Sequence, residues 1–186
     1  MRVVRRIHIV GGPASGKTTL ARSLGTELGV KVYDLDDIAY EDSGTSANTR
    51  PLEARIAFAR SVAAEPAWIT EGIYLWWTDE LLRTADVIIW LMVRWRVAAR
   101  RTVSRHIRRS LAGGYPHAGI RNLMYHSCFV RRYYWARVAP EPKSPDDDRA
   151  TTQAATAGQL AQFRDKVLRW RDPGDIEGLL ATIRNS

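Results

Sequence analysis

An α/β fold built on a parallel sheet is what this sequence predicts, and two observations carry the prediction. Five short apolar runs, at residues 6–10, 30–35, 68–70, 87–93 and 166–170, read as strands. Helical patterns separate successive runs, so the strands need crossover connections, which gives a parallel sheet covered on both faces. A chain of 186 residues is long enough for one domain with a sizeable core.

The elements follow in order. In "IHIVGGPASGKTTLARSLG", residues 7–25, Ile7, Ile9 and Val10 form a buried strand that Gly11 and Gly12 end, and Leu20, Ala21, Leu24 and Leu28 then recur at helical spacing. Pro51 is placed to open a helix through Ala64, with Pro66 beyond its end, and Pro173 to open a last helix through Ile183. Residues 140–152, "PEPKSPDDDRATT", are proline-rich and acidic and read as an exposed, mobile loop.

Between the first strand and first helix, Gly11, Gly16, Lys17 and Thr18 fit G-x-x-x-x-G-K-[ST], the pattern of a phosphate-cradling loop. Glycine lets backbone N–H groups curl around an anion, and the helix start adds its positive dipole end. Residues 11–19 are therefore expected to hold Mg-ATP, with Gly12, Ala14, Ser15, Gly16, Lys17, Thr18 and Thr19 in contact with it. Lys17 suits the β- and γ-phosphates, and the Thr18 hydroxyl suits Mg²⁺.

Charge is the second signal. Eleven arginines, and no lysine, aspartate or glutamate, lie within residues 87–140, leaving 17 of the 28 basic residues against all 20 acidic ones elsewhere. The overall charge of +8 therefore belongs to one segment, which is expected to face an anion. At 100° per residue, Val103, Ile107 and Leu111 fall on one arc and Arg94, Arg101, Arg105, Arg108 and Arg109 on a neighbouring one. The longest apolar run, 87–93, is too short to cross a bilayer, and a single cysteine, Cys128, forms no internal disulfide. The first strand runs directly into the phosphate loop without a targeting segment, so a cytoplasmic protein with no membrane association is expected, as monomer or homodimer. His106, His117 and His126 are too scattered to suggest a metal site, and Tyr125, Phe129 and Tyr133 read as packing residues.

Ligands of open α/β sheets bind at the carboxyl ends of the strands. There "YDLDD" places Asp34, Asp36 and Asp37, and "TEGIY" places Glu71 and Gly72, where carboxylates can hold Mg²⁺ or take a proton from an attacking hydroxyl. Asp37 reads as a helix cap or solvent-facing residue, and Asp36 and Glu71 as functional.

These stretches, with "YDLDDIAY", "WITEGIY" and "KVLRWRDPGDIEGLL" in order, resemble the P-loop kinases of the nucleoside monophosphate kinase and shikimate kinase group. The likeness is greatest to the adenylate kinase-like proteins called DNA topology modulation proteins, and it spans nearly the whole chain. The resemblance implies a three-layer sandwich with strand order 2-3-1-4-5, an acceptor-binding region near residues 37–66, and an arginine-bearing helical lid near residues 94–140. It also implies that Asp34 and Glu71 order Mg²⁺ with Thr18, that Asp36 orients or deprotonates the acceptor, and that Arg171 and Pro173 lie near the adenine. Arg100, Arg101 and Arg105 are its candidate lid arginines. Glu71 stands where that group usually has aspartate, and "LMVRW" replaces its usual Asp and Pro after strand four.

Two function classes follow. One is an ATP-dependent phosphotransferase acting on a nucleotide, nucleoside or small hydroxylated metabolite, its acceptor near Asp36, Arg50, Glu71, Gly72 and Tyr74. Trp76 and Trp77 suit either a flat acceptor pocket or the core. The alternative is an ATP-binding protein whose arginine rows and aromatics bind nucleic acid.

Overall fold

The structure, a computed structural model, describes residues 4–41, 49–112, 119–144, 147 and 150–185. Its strands are β1 (Arg6–Gly11), β2 (Val32–Asp34), β3 (Trp68–Gly72), β4 (Val87–Leu91) and β5 (Val167–Trp170). The helices are α1 (Lys17–Leu28), α2 (Leu35–Ala39), α3 (Leu52–Ala63), α4 (Asp79–Thr84), α5 (Trp95–Leu111), α6 (Ile120–Trp135), α7 (Gln153–Leu160) and α8 (Ile176–Asn185). The five strands form one parallel sheet in the order β2-β3-β1-β4-β5. This is the expected α/β architecture and strand order.

Alternate residues of β1 feed two cores, because side chains of a strand point to opposite faces. Ile7 and Ile9 join Leu20 and Leu24 of α1 and Leu179 and Ile183 of α8. Val10 joins Trp68 and Trp90 of the neighbouring strands, Val62 of α3, Leu81 of α4 and Leu160 of α7. Each such side chain removed from water contributes about 1.5–3 kcal/mol. His8, on the second face, is fully buried; its Nδ1 lies 2.8 Å from the Thr70 hydroxyl, and burial pushes its pKa down to about 4.

Several boundaries depart from the sequence expectation. β3 extends two residues further, so Glu71 and Gly72 end the strand, while β2 gives up Leu35 to α2. The last helix starts at Ile176 rather than at Pro173, because Asp175 Oδ1 accepts the N–H of Gly178 and so caps its first turn. Pro51 does precede α3, which ends before Pro66.

On α5 the buried residues are Ala98, Thr102 and His106, while the apolar Val103, Ile107 and Leu111 are exposed. Small Ala98 and Thr102 sit well at a packed face, the Thr102 hydroxyl being satisfied by the Ala98 carbonyl at 2.9 Å. α6 packs along α5, with the rings of Trp95 and Trp135 edge-to-face at 5.3 Å. On α6, Tyr133 is buried as expected, whereas Tyr125 is exposed.

The expected mobile loop at 140–152 is anchored at its end. Ala150, Thr151 and Thr152 are buried, and the Thr152 hydroxyl accepts the N–H of Ala155 to cap α7. Trp76 Nε1 donates to the Asp147 carbonyl at 3.0 Å. Trp77 belongs to the core beside Tyr74. His117 and residues 145, 146, 148 and 149 lie outside the described residues. Among the described residues, no helix is long and apolar enough to cross a membrane.

Candidate functional site

The turn from β1 to α1 lies at the carboxyl end of the sheet's central strand, with β3 and β4 on either side. Gly16, at the N-cap of α1, has φ 103° and no side-chain cap, so the first-turn N–H groups are left for an outside acceptor. Ala14 also adopts positive φ, at 56°. Gly12 is demanded by packing: a Cβ there would come within 2.5 Å of the Tyr133 ring and 2.7 Å of the Tyr134 ring. Thus α6 lies directly against the loop, and the Tyr134 hydroxyl donates to the Pro13 carbonyl at 3.4 Å.

Lys17 Nζ reaches back to the Gly12 carbonyl at 3.1 Å. Burial pulls its pKa below the ordinary lysine value, against the opposing pull of Glu71, Asp36 and Asp34, and Arg105 adds to the lowering. Opposite it, the Thr18 hydroxyl donates to Glu71 Oε1 at 2.5 Å. Glu71 is 3% exposed, and burial raises its pKa to about 7 despite Lys17 and the Thr18 hydrogen bond.

Asp34 lies directly across from Glu71 in the β2–β3 register. It caps α2, taking the Asp36 N–H on Oδ1 at 2.9 Å, while Asp37 is solvent-exposed, one of the two roles the sequence suggested for it. Burial raises its pKa as well. Asp36 faces outward from the first turn of α2, and its Oδ1 accepts the Tyr74 hydroxyl at 2.8 Å.

One cleft of about 810 Å³ collects most of the expected site residues. Ala14, Gly16, Lys17, Thr18 and Thr19 line its loop side. Asp36, Glu71, Gly72 and Tyr74 line the far wall, and Arg101 and Arg105 close it from α5. Arg101 Nη1 also donates to the Ser15 carbonyl at 2.7 Å, while Ser15 itself is buried, its hydroxyl without a partner. Six expected site residues do not line the cleft: Gly12, Ser15 and Asp34 sit behind its wall, and three more lie outside it. Arg50 is exposed and donates from Nε to the Tyr40 carbonyl, Arg100 lies on the outer side of α5, and Arg171 is exposed beside the cleft wall formed by Asp172, Pro173 and Gly174. Only the helical phase separates Arg100 from Arg101, and one residue's rotation of 100° decides which faces in.

Among the lining residues that the sequence did not single out as site residues are Tyr40, Arg108, His126 and Phe129. Arg108 had a signal, lying three residues beyond Arg105 on the same helical stripe. His126 and Phe129 had none, since their place depends on how α6 packs over the loop.

The donor set suits Mg-ATP. The uncapped α1 terminus, the Lys17 ammonium and the α5 guanidiniums complement polyphosphate, and Thr18 and Glu71 offer hard oxygens for a divalent cation. Among the described residues no group of three or more His, Cys, Asp or Glu side chains could hold a metal alone; Mg²⁺ shared with phosphates needs no such group.

No protein-family model and no curated protein matches the chain. Among solved structures it is similar to a shikimate kinase from Bacteroides thetaiotaomicron, with 14% identity, 98% of this chain and 96% of that one covered, and a TM-score of 0.49. A gluconokinase from Sinorhizobium meliloti gives 15% identity, 88% and 99% coverage and a TM-score of 0.46. An uncharacterized protein from Eubacterium ventriosum gives 13% identity, 97% and 98% coverage and a TM-score of 0.49. Likenesses this distant assign no activity to the chain.

Proposed function

We propose that the protein transfers the γ-phosphoryl group of ATP to a hydroxyl or phosphate oxygen of a small acceptor. The observation that carries this reading is the meeting of two hydrogen-bonded pairs, Thr18–Glu71 and Asp36–Tyr74, with Lys17 in a single cleft. In this reading the loop amides and Lys17 hold the β- and γ-phosphates, and Thr18 and Glu71 hold Mg²⁺, which would neutralise charge on those phosphates. Tyr74 fixes one oxygen of Asp36, leaving the other to orient the acceptor. For a hydroxyl acceptor, Asp36 takes the proton as the acceptor oxygen bonds to phosphorus and the bond to the β,γ-bridging oxygen breaks. Arg101 and Arg105 stabilise charge on the transferring group, and Arg108, three residues beyond Arg105 and also lining the cleft, would meet the acceptor.

ADP formation from Mg-ATP across a panel of nucleotides, nucleosides and hydroxylated metabolites tests this, with Lys17→Ala as the reference. At least one acceptor should raise turnover well above that reference. If none does, and the protein instead binds polynucleotide with steep salt dependence, the nucleic-acid reading takes its place.

A further inference from the structure

The α5–α6 hairpin has an outer side that the cleft does not use. Among the described residues ten large hydrophobic side chains are exposed, and nine of them lie from Trp95 onward to Val138 on or beside these two helices. On α5, Arg96, Arg100, Val103, Ile107 and Leu111 fall within an arc of about 80°, roughly opposite the buried Ala98 and Thr102 and turned away from the cleft-facing Arg101, Arg105 and Arg108. Ile107 is 49% exposed and Leu111 82%. The Trp95–Trp135 contact sets the helices antiparallel, so Ile120 and Met124, 67% and 62% exposed, lie at the same end of the hairpin as Leu111.

We propose that the outer side of the hairpin, carrying Arg96, Arg100, Ile107 and Leu111 of α5, docks on an anionic lipid surface. Aliphatic side chains beside arginines, with no acidic residue anywhere in residues 87–140, are the composition that an interfacial helix needs. Two other occupants fit less well. A second copy of the chain would bring like-charged arginines together with no carboxylate from the same segment to relieve them. Nucleic acid would match the charge but gains little from Ile107 and Leu111, whose aliphatic surface offers neither stacking nor hydrogen bonds. Neither the cleft nor the cavity between β4, β5 and α7 is lined by these residues, so the surface is separate from both.

Co-sedimentation of the full chain with vesicles tests the proposal, using phosphatidylcholine alone and phosphatidylcholine with about one-third phosphatidylglycerol. Binding should require the anionic lipid and fall about tenfold or more at high salt. Ile107→Ser with Leu111→Ser should lower partitioning about tenfold, and Arg96→Gln about fivefold. None of these residues lines the cleft, so circular dichroism and ATP binding should be unchanged. Equal binding to both vesicle types, or no loss in the Ile107/Leu111 variant, overturns the proposal. So does an absence of vesicle binding, including where sedimentation shows a dimer, or a polynucleotide complex, that the same substitutions abolish.

Discussion

Arg101 Nη1 and the Ser15 carbonyl, 86 positions apart, are joined at 2.7 Å, which ties α5 to the phosphate loop. In the proposed reaction this guanidinium stabilises transferring charge. Arg101→Gln should lower kcat about 10²–10³-fold. Thermal stability should shift by no more than about 1 kcal/mol, since a single hydrogen bond is lost. Unchanged turnover in steady-state assays would confine Arg101 to holding the loop.

Lys17→Ala should fold and lose transfer, because no other lysine lines the cleft. It also removes the charge that most opposes the raised pKa of Glu71, so that carboxyl should titrate still higher. Parent-level turnover in the purified variant would place the reaction elsewhere.

Asp36→Asn should reduce kcat with ATP affinity nearly unchanged, since Asp36 meets the acceptor rather than the nucleotide in the proposed mechanism. Tyr74→Phe should give a smaller loss in the same direction, as it frees the Asp36 oxygen that Tyr74 holds. Equal losses of ATP affinity, measured by titration calorimetry, would move Asp36 to the nucleotide side.

The pH dependence has a definite sign. Glu71 rises from 4.5 to about 7 on folding, so the folded chain keeps a proton that the unfolded chain releases between those values. Its contribution to stability is fully present below the unfolded value and lost as pH rises through about 7. His8, lowered from 6.5 to about 4, acts oppositely: its contribution is present above the unfolded value and lost as pH falls toward about 4. Glu71→Gln removes only the first effect. Its Tm relative to the parent should climb between about pH 5 and 8, without ligands. A pH-independent difference would mean that Glu71 ionises normally.

Gly12→Ala should destabilise the protein by about 1–3 kcal/mol, because its Cβ would press on Tyr133, a buried ring with little room to move. Thermal unfolding measures the loss. Wild-type stability would show that α6 can move off the loop at no cost.

The sheet and the loop were legible because they depend on local patterns: apolar runs, a glycine-lysine-threonine spacing, and acids at strand ends. What local pattern could not give was tertiary. Which face of α5 packs, that of Ala98 and Thr102 rather than that of the larger Val103, Ile107 and Leu111, depends on the neighbouring elements and not on hydrophobicity along the helix. His126 and Phe129 reach the cleft only through that packing. Arg50 and Arg171 lie near the cleft in sequence terms, but their side chains are exposed outside it.

The sheet order also dictates when the phosphate loop can exist during synthesis. β1 is central, pairing Arg6 with Trp68 on one edge and Ile7 with Val87 on the other. A nascent chain shorter than β4 therefore leaves one edge of its first strand open, with unpaired backbone N–H and C=O groups. Until Leu91 has left the ribosome, the loop hangs from a strand with at most one neighbour, and a chain that stalls there presents that unpaired edge to other chains.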